Sequence, residues 1–119
     1  MRMLIVTERP ADFAGFLETL RQRGVELDLA ATGQAAKALA REKSPVLCVV
    51  DDALPDTGSF ALVAALLRDN AFLHTAVVSN LSAEDFHEAG EGLGILLALP
   101  HRPGQAEATA LLAALAAVS

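Results

Sequence analysis

The side chains best suited to chemistry in this sequence sit directly behind short apolar runs. Thr7 and Glu8 follow Met3 to Val6, and Asp51 and Asp52 follow Val46 to Val50. Ser79 and Asn80 follow Thr75 to Val78, and Pro100 and His101 follow Ile95 to Leu99. Carboxylates from two such places, if brought together, suit a hard divalent cation, which takes oxygen ligands. The competing reading makes Glu8, Asp51 and Asp52 loop acids that cap helices or add solubility. Metal-dependent phosphodiester chemistry fits poorly, because only these acids are available and no nucleophile stands beside a poised base. His74, His87 and His101 have no metal-ligand spacing and no acidic or cysteine companion at a diagnostic interval. The Ser79 hydroxyl could equally satisfy a strand end. Gly90, Gly92 and Gly94 are spaced unlike a phosphate-binding loop.

The elements that must position these residues follow from hydrophobic spacing. Met3 to Val6 reads as a strand and Pro10 as a helical first turn, with Phe13, Phe16, Leu17 and Leu20 at helical spacing until Gly24 stops the run. Val25, Leu27 and Leu29 alternate with Glu26 and Asp28, the period of a strand with one wet face or a sheet edge. A helix from about Gln34 to Glu42 turns Ala35, Ala36, Ala38 and Leu39 inward and ends before Pro45. The unbroken run Val46 to Val50 is a central parallel strand, covered on both faces. Ser59 caps a helix with Phe60, Val63, Ala64 and Leu67 on one stripe, and Thr75 to Val78 is the fourth strand. Ser82, followed by Glu84 and Asp85, starts a short helix with Phe86 and Ala89 inward. Ile95 to Leu99 and a last helix from about Gln105 to Val118, with Leu111, Leu112 and Leu115 inward, complete the series. This alternation predicts an α/β fold, a (βα)5 doubly wound parallel sheet with its ligand crevice outside the carboxyl ends of the strands.

Composition narrows the function classes. A chain of 119 residues makes one domain, 1–119, without room for a second. With 53% apolar and 20% charged residues and no long polar tract, it has the means to build a core, and disorder is a poor reading for any internal segment. The formal net charge of -6 and nine scattered Lys and Arg offer little to a phosphate backbone, so direct nucleic-acid binding is not expected. Arg21, Arg23, Lys37, Arg41 and Lys43 read as a solvated face. Cys48, alone and inside "VLCVV", is a small buried side chain, which excludes disulfides and a thiolate metal cluster. No apolar run reaches the ~18 residues of a membrane span, and the start is too short in apolar residues for a signal peptide. The expected location is cytoplasmic. The last helix surrounds its leucines with alanines and carries few charges after Glu107, which points to a protein partner or self-association, as a homodimer, at that end of the domain.

The segment "VVDDALPDTG", supported by "VVSN" and by the proline after the fifth strand, resembles the receiver domain of bacterial response regulators. The resemblance covers essentially the whole chain. It implies a flavodoxin-like receiver fold with strand order 2-1-3-4-5 and a place in two-component signal transduction. Asp51, with Leu54 and Pro55 three and four residues beyond it, matches the acceptor of a phosphoryl group from a histidine kinase. Glu8 matches an acid that holds Mg²⁺, with Asp51 and the Ala53 carbonyl completing a weak shell. Ser79 matches the hydroxyl that contacts the phosphoryl group, and Asp52 is the neighbouring loop acid. A cation and fixed donors are needed because a carboxylate attacking a phosphoryl donor must overcome repulsion between anions.

Three departures stand against this pattern. Thr7 replaces the first strand-one acid, Leu99 the lysine and Leu96 the switch aromatic, while Gly58 falls one position early. A leucine cannot make the charge-assisted hydrogen bond that would lock a phosphorylated conformation. The expectation is therefore an atypical or pseudo-receiver, not an enzyme, that signals by protein contact through its fourth and fifth helices independently of phosphorylation. The alternative is a Mg²⁺-dependent phosphoacceptor of a phosphorelay, phosphorylated on Asp51, in which His101 or another basic group stands in for the lysine. The resemblance also marks Leu99-Pro100 as a candidate cis bond.

Overall fold

A computed structural model describes residues 1–119. Strand β1 (Arg2–Val6) leads through a 3-10 turn (Pro10–Phe13) into α1 (Ala14–Gln22). β2 (Glu26–Ala30) and α2 (Gly33–Lys43) follow, then β3 (Leu47–Val50) and α3 (Ser59–Asp69). β4 (His74–Val78), α4 (Ala83–Ala89), β5 (Leu97–Leu99) and α5 (Gln105–Val118) complete the chain. All strand pairings are parallel and the order is β2-β1-β3-β4-β5, the doubly wound sheet that the alternation predicts. No helix is long and apolar enough to cross a membrane.

Side chains alternate across a strand, and that alternation builds two cores. Met3 and Ile5, Leu47 and Val49, and Ala76 and Val78 face one layer with Phe13 and with Phe16, Leu20, Leu111 and Leu115 of α1 and α5. Leu4 and Val6, Cys48 and Val50, and Val77 face the other with Ala36, Leu62 and Leu66 of α2 and α3. Each large side chain buried this way contributes about 1.5–3 kcal/mol, so the two cores hold β1 and β3 rigidly side by side. The Cys48 thiol is pushed up to about 12 by burial. It is expected to resist a disulfide reagent in the native protein and to react only when urea unfolds the chain; fast labelling without denaturant would contradict the packing.

Several local expectations shift. Ala38 is exposed, because the inward stripe of α2 runs through Ala36 and Ala40, with Ala35 and Leu39 beside it. Leu62 and Leu66 join Val63 as the deeply buried residues of α3, while Phe60 and Leu67 flank them. Gly58 is the N-cap of α3 and Ser59 is its first, buried residue. Ser82 does cap α4, its hydroxyl accepting from the Asp85 N–H at 3.1 Å, yet α4 buries no residue and Ala89 is exposed. Phe86 reaches Phe60 edge-on at 5.4 Å. Leu29 is exposed because β2 is an edge strand. β5 is three residues long, beginning after a segment in which Gly92 and Gly94 adopt positive φ (81° and 63°). No peptide bond is cis, so Leu99-Pro100 is trans, the isomer proline itself favours modestly. The Leu99 carbonyl accepts from the Ser79 N–H at 3.0 Å in that geometry.

Candidate functional site

Val6 and Val50 are register partners, so the next residues, Thr7 and Asp51, emerge together at the carboxyl edge of the sheet. The Asp51 N–H donates to the Val6 carbonyl and the Thr7 N–H to the Ala30 carbonyl, both at 2.9 Å, which fixes the backbone under both side chains. Asp51 is 0% exposed and is the one charged residue among those fully buried. Thr7 Oγ1 donates to its Oδ2 at 2.7 Å and Arg9 Nε to the same oxygen at 2.9 Å. Arg9 Nη2 and the Asp52 N–H donate to Oδ1 at 3.0 and 2.9 Å. An ionised carboxylate offers about four lone-pair sites, and here all of them are taken.

Arg9 is held in turn. Its N–H donates to Thr7 Oγ1 at 3.1 Å, its Nη1 to Asp12 Oδ2 at 3.4 Å, and its guanidinium lies 5.2 Å from the Phe13 ring centroid. Pro10 suits the first helical turn that carries Asp12 and Phe13 beneath it. Burial alone would raise the Asp51 carboxyl; the hydrogen bonds from Arg9 and Thr7, together with its neighbour Asp52, prevail and hold it below the usual carboxylate range. Asp52 moves the other way, raised first by burial and then by sharing a hydrogen bond and like charge with Asp51, against a smaller opposing pull from His101. Its buried Oδ1 has no hydrogen-bond partner. Asp51 is thus the more acidic member of the pair.

The other sequence candidates scatter around this centre. Glu8 is exposed, one residue past the paired position, so the neighbour of Asp51 across the strands is Thr7 and not the expected Glu8. Ala53 is exposed. Ser79 Oγ accepts from the Leu81 N–H at 3.0 Å instead of reaching Asp51. Leu99 is 2% exposed, and Leu96 packs partly buried against the same core, with its N–H on the Thr75 carbonyl at 2.8 Å. His101 is exposed.

The residues expected to hold Mg²⁺ do not fit a shell as arranged: Asp51 has no free lone pair, and its cationic partner is Arg9. No group of three or more His, Cys, Asp or Glu side chains is placed to hold a metal ion. Arg9 is also the residue that sequence reasoning missed. Its signal was position, at the mouth of the first strand two residues after Thr7 and just before Pro10. The expectation that the chain is not an enzyme is corrected by this geometry. A buried, ionised carboxylate fixed by a hydroxyl and a guanidinium is an assembled catalytic type of cluster, which counting missing residues could not reveal.

The loop after Asp51 is anchored from below. Asp56 accepts from the N–H groups of Gly33 and Gln34 at 2.8 and 3.0 Å, at the N-terminus of α2, and these bonds lower its carboxyl. A Cβ on Gly33 would meet the Thr57 methyl at 2.5 Å, so the close approach needs glycine. The stabilisation from Asp56 is present above the ordinary carboxylate pKa and is lost as pH falls through its lowered value. Asp56→Ala is expected to raise amide exchange at Gly33 and Gln34 near neutral pH, and unchanged exchange would show the tie to be idle.

No family model matches the chain. A response regulator receiver protein from Anaeromyxobacter sp. (strain Fw109-5) is 35% identical over 101 residues, 84% of this chain and 42% of that protein. The chain therefore spans less than half the length of this relative. Among solved structures, the chemotaxis response regulator CheY4 of Vibrio cholerae superposes with a TM-score of 0.84 at 19% identity, covering 96% of this chain and 97% of that one. The non-phosphorylated HemR receiver domain from Leptospira biflexa gives 0.83 at 23% identity, covering 99% and 95%. A LuxR-family two-component response regulator from Aurantimonas sp. SI85-9A1 gives 0.83 at 22%, covering 98% and 85%. With its strand order, the acid after β3 and these likenesses together, the chain belongs to the receiver-domain, CheY-like response-regulator superfamily.

Proposed function

We propose that this domain is a phosphoacceptor receiver that takes a phosphoryl group on Asp51. The observation that supports it is the Asp51 cluster itself: an ionised carboxylate at the strand edge, with a hydroxyl and a guanidinium already aimed at it. The donor is a phosphohistidine of a histidine kinase. One Asp51 oxygen attacks phosphorus, the P–N bond breaks, and the imidazole leaves with the electron pair. Attack requires a lone pair, so one donor must move aside; Arg9, whose side chain is 20% exposed, has the room. The readout surface we assign is the exposed alanine face of α5 with α4, which buries no side chain of its own, as a contact for a protein partner or a second copy.

Incubation with acetyl phosphate is expected to add one phosphoryl group to the native protein, detected by intact mass and removed by hydroxylamine. Asp51→Asn is expected to gain none. A contact module that ignores phosphorylation is the second reading, favoured by Leu99, which packs in the core where a lysine would reach toward the phosphoryl group. An unmodified protein whose association is the same with and without donor would select it.

A further inference from the structure

We infer that Arg9 is the resident cation of this site, occupying both oxygens of Asp51 where a divalent metal would otherwise bind, so that the Asp51 carboxylate is paired and fully hydrogen-bonded without metal. Asp51 is the one fully buried charged residue, and its neighbour across β1 and β3, Thr7 at 4% exposure, is neutral where the pattern has an acid. The guanidinium also matches the shape of a carboxylate, donating from Nε to one oxygen and from Nη2 to the other. It is not a loose surface arginine, because Asp12 and the Phe13 ring hold the guanidinium and the Thr7 hydroxyl accepts from the Arg9 backbone N–H.

The consequence for chemistry rests on Asp51 being the phosphoryl acceptor. Once phosphoryl transfer converts one Asp51 oxygen into the bridging acyl phosphate oxygen, that oxygen loses its anionic character and the new negative charge lies on the phosphoryl oxygens. The same fork of N–H donors suits phosphate as well as carboxylate, so Arg9 follows the charge outward and supplies the stabilisation a metal would. Arg9 thereby acts on the reacting group while remaining part of the chain.

The test is a Mg²⁺ titration of native protein, Arg9→Ala and Arg9→Gln, followed by NMR and by thermal unfolding. In the native protein, millimolar Mg²⁺ is expected to leave the amides of Glu8, Asp51 and Ala53 and the Arg9 Nε–H signal in place. In both variants, freeing the Asp51 lone pairs is expected to create saturable binding with shifts at the same amides. A ligand at ten times its dissociation constant raises the Tm of a domain this size by roughly 5 °C, and that rise is expected only in the variants. The glutamine variant keeps a side-chain donor, which maintains the fold should the alanine variant unfold. Saturable Mg²⁺ shifts in the native protein, or variants that ignore Mg²⁺, would overturn the inference. Acetyl phosphate labelling in EDTA runs in parallel: native labelling equal to that in Mg²⁺ supports it, and labelling that requires Mg²⁺ opposes it. No labelling in either buffer would sink the acceptor reading alone, since the titration judges Arg9 independently.

Discussion

Arg9→Ala, measured in EDTA at neutral pH, is expected to destabilise the domain by about 3 kcal/mol, the lower end of what breaking a buried ion pair costs. The lower end applies because the Arg9 side chain is 20% exposed, so water can reach part of the vacated space, while Asp51 at 0% cannot turn outward. What is lost is two of the four donors on a buried carboxylate, and the remaining Thr7 and Asp52 bonds must then hold a full charge alone. The sign of the pH dependence follows. In the native protein the Asp51 carboxyl is lowered, so its stabilisation is present above the unfolded value of about 3.9 and fades as pH falls through the lowered value. Without Arg9, burial is opposed only by the Thr7 and Asp52 hydrogen bonds, so the carboxyl moves up from its native position, and the variant's loss relative to the native protein is smallest in acid and grows toward neutrality. Urea unfolding should therefore show a gap between native and variant that is widest near neutrality and narrows in acid. The double variant Arg9→Ala with Asp51→Asn should recover part of the loss, because the buried charge is gone. A gap that does not change with pH, or a double variant as unstable as the sum of the singles, would show that Arg9 acts by packing alone.

Phe16→Ala is expected to cost about 3–5 kcal/mol, the range for emptying a buried phenylalanine site. Phe16 is fully buried and meets Phe13 edge-on, with centroids 6.1 Å apart and planes at 89°. It packs in the layer where α1 and α5 cover β1 and β3, so the cavity would lie between two helices and a rigid sheet that cannot easily close on it. Phe13 carries the Arg9 guanidinium on its ring, and a loosened Phe13 is expected to shift the Arg9 Nε–H resonance as well. The free-energy change would be read from the midpoint of urea unfolding with an unchanged slope. A loss under about 1.5 kcal/mol would mean that the layer relaxes around the missing ring, below the range for such truncations.

Much of the architecture was legible because it depends on periodicity. Val46 to Val50 is apolar without a break, which suits a strand covered on both faces; the structure places β3 at the centre with every residue from Leu47 to Val50 buried, while Val46 stays before the strand and exposed. Helix faces were read less well where nearly every position was small or apolar. In α3, Leu62 and Leu66 are as hydrophobic as Phe60 and Leu67, so composition could not choose the stripe, and the sheet's position did. In α2, alanines at several successive positions hid which face was inward, and Ala38 turned out to be on the wet one.

The site divides along the same line. Sequence alone determined that acids and hydroxyls lie behind the apolar runs, that Asp51 stands in the "DxxLP" setting, and that Thr7, Leu96 and Leu99 replace an acid, an aromatic and a lysine. Those are statements about identity and spacing, which a linear pattern carries. Tertiary structure decided which of them meet. The register of β1 against β3 set Thr7, not Glu8, beside Asp51. The 3-10 turn after Pro10 then brought Arg9 back over the strand ends to fill both carboxylate oxygens. A long, flexible arginine side chain has no periodic signature, and its partner is 42 residues away in the chain. Only the folded sheet, by bringing Asp51 to a buried edge where its charge had to be balanced, made that partnership visible.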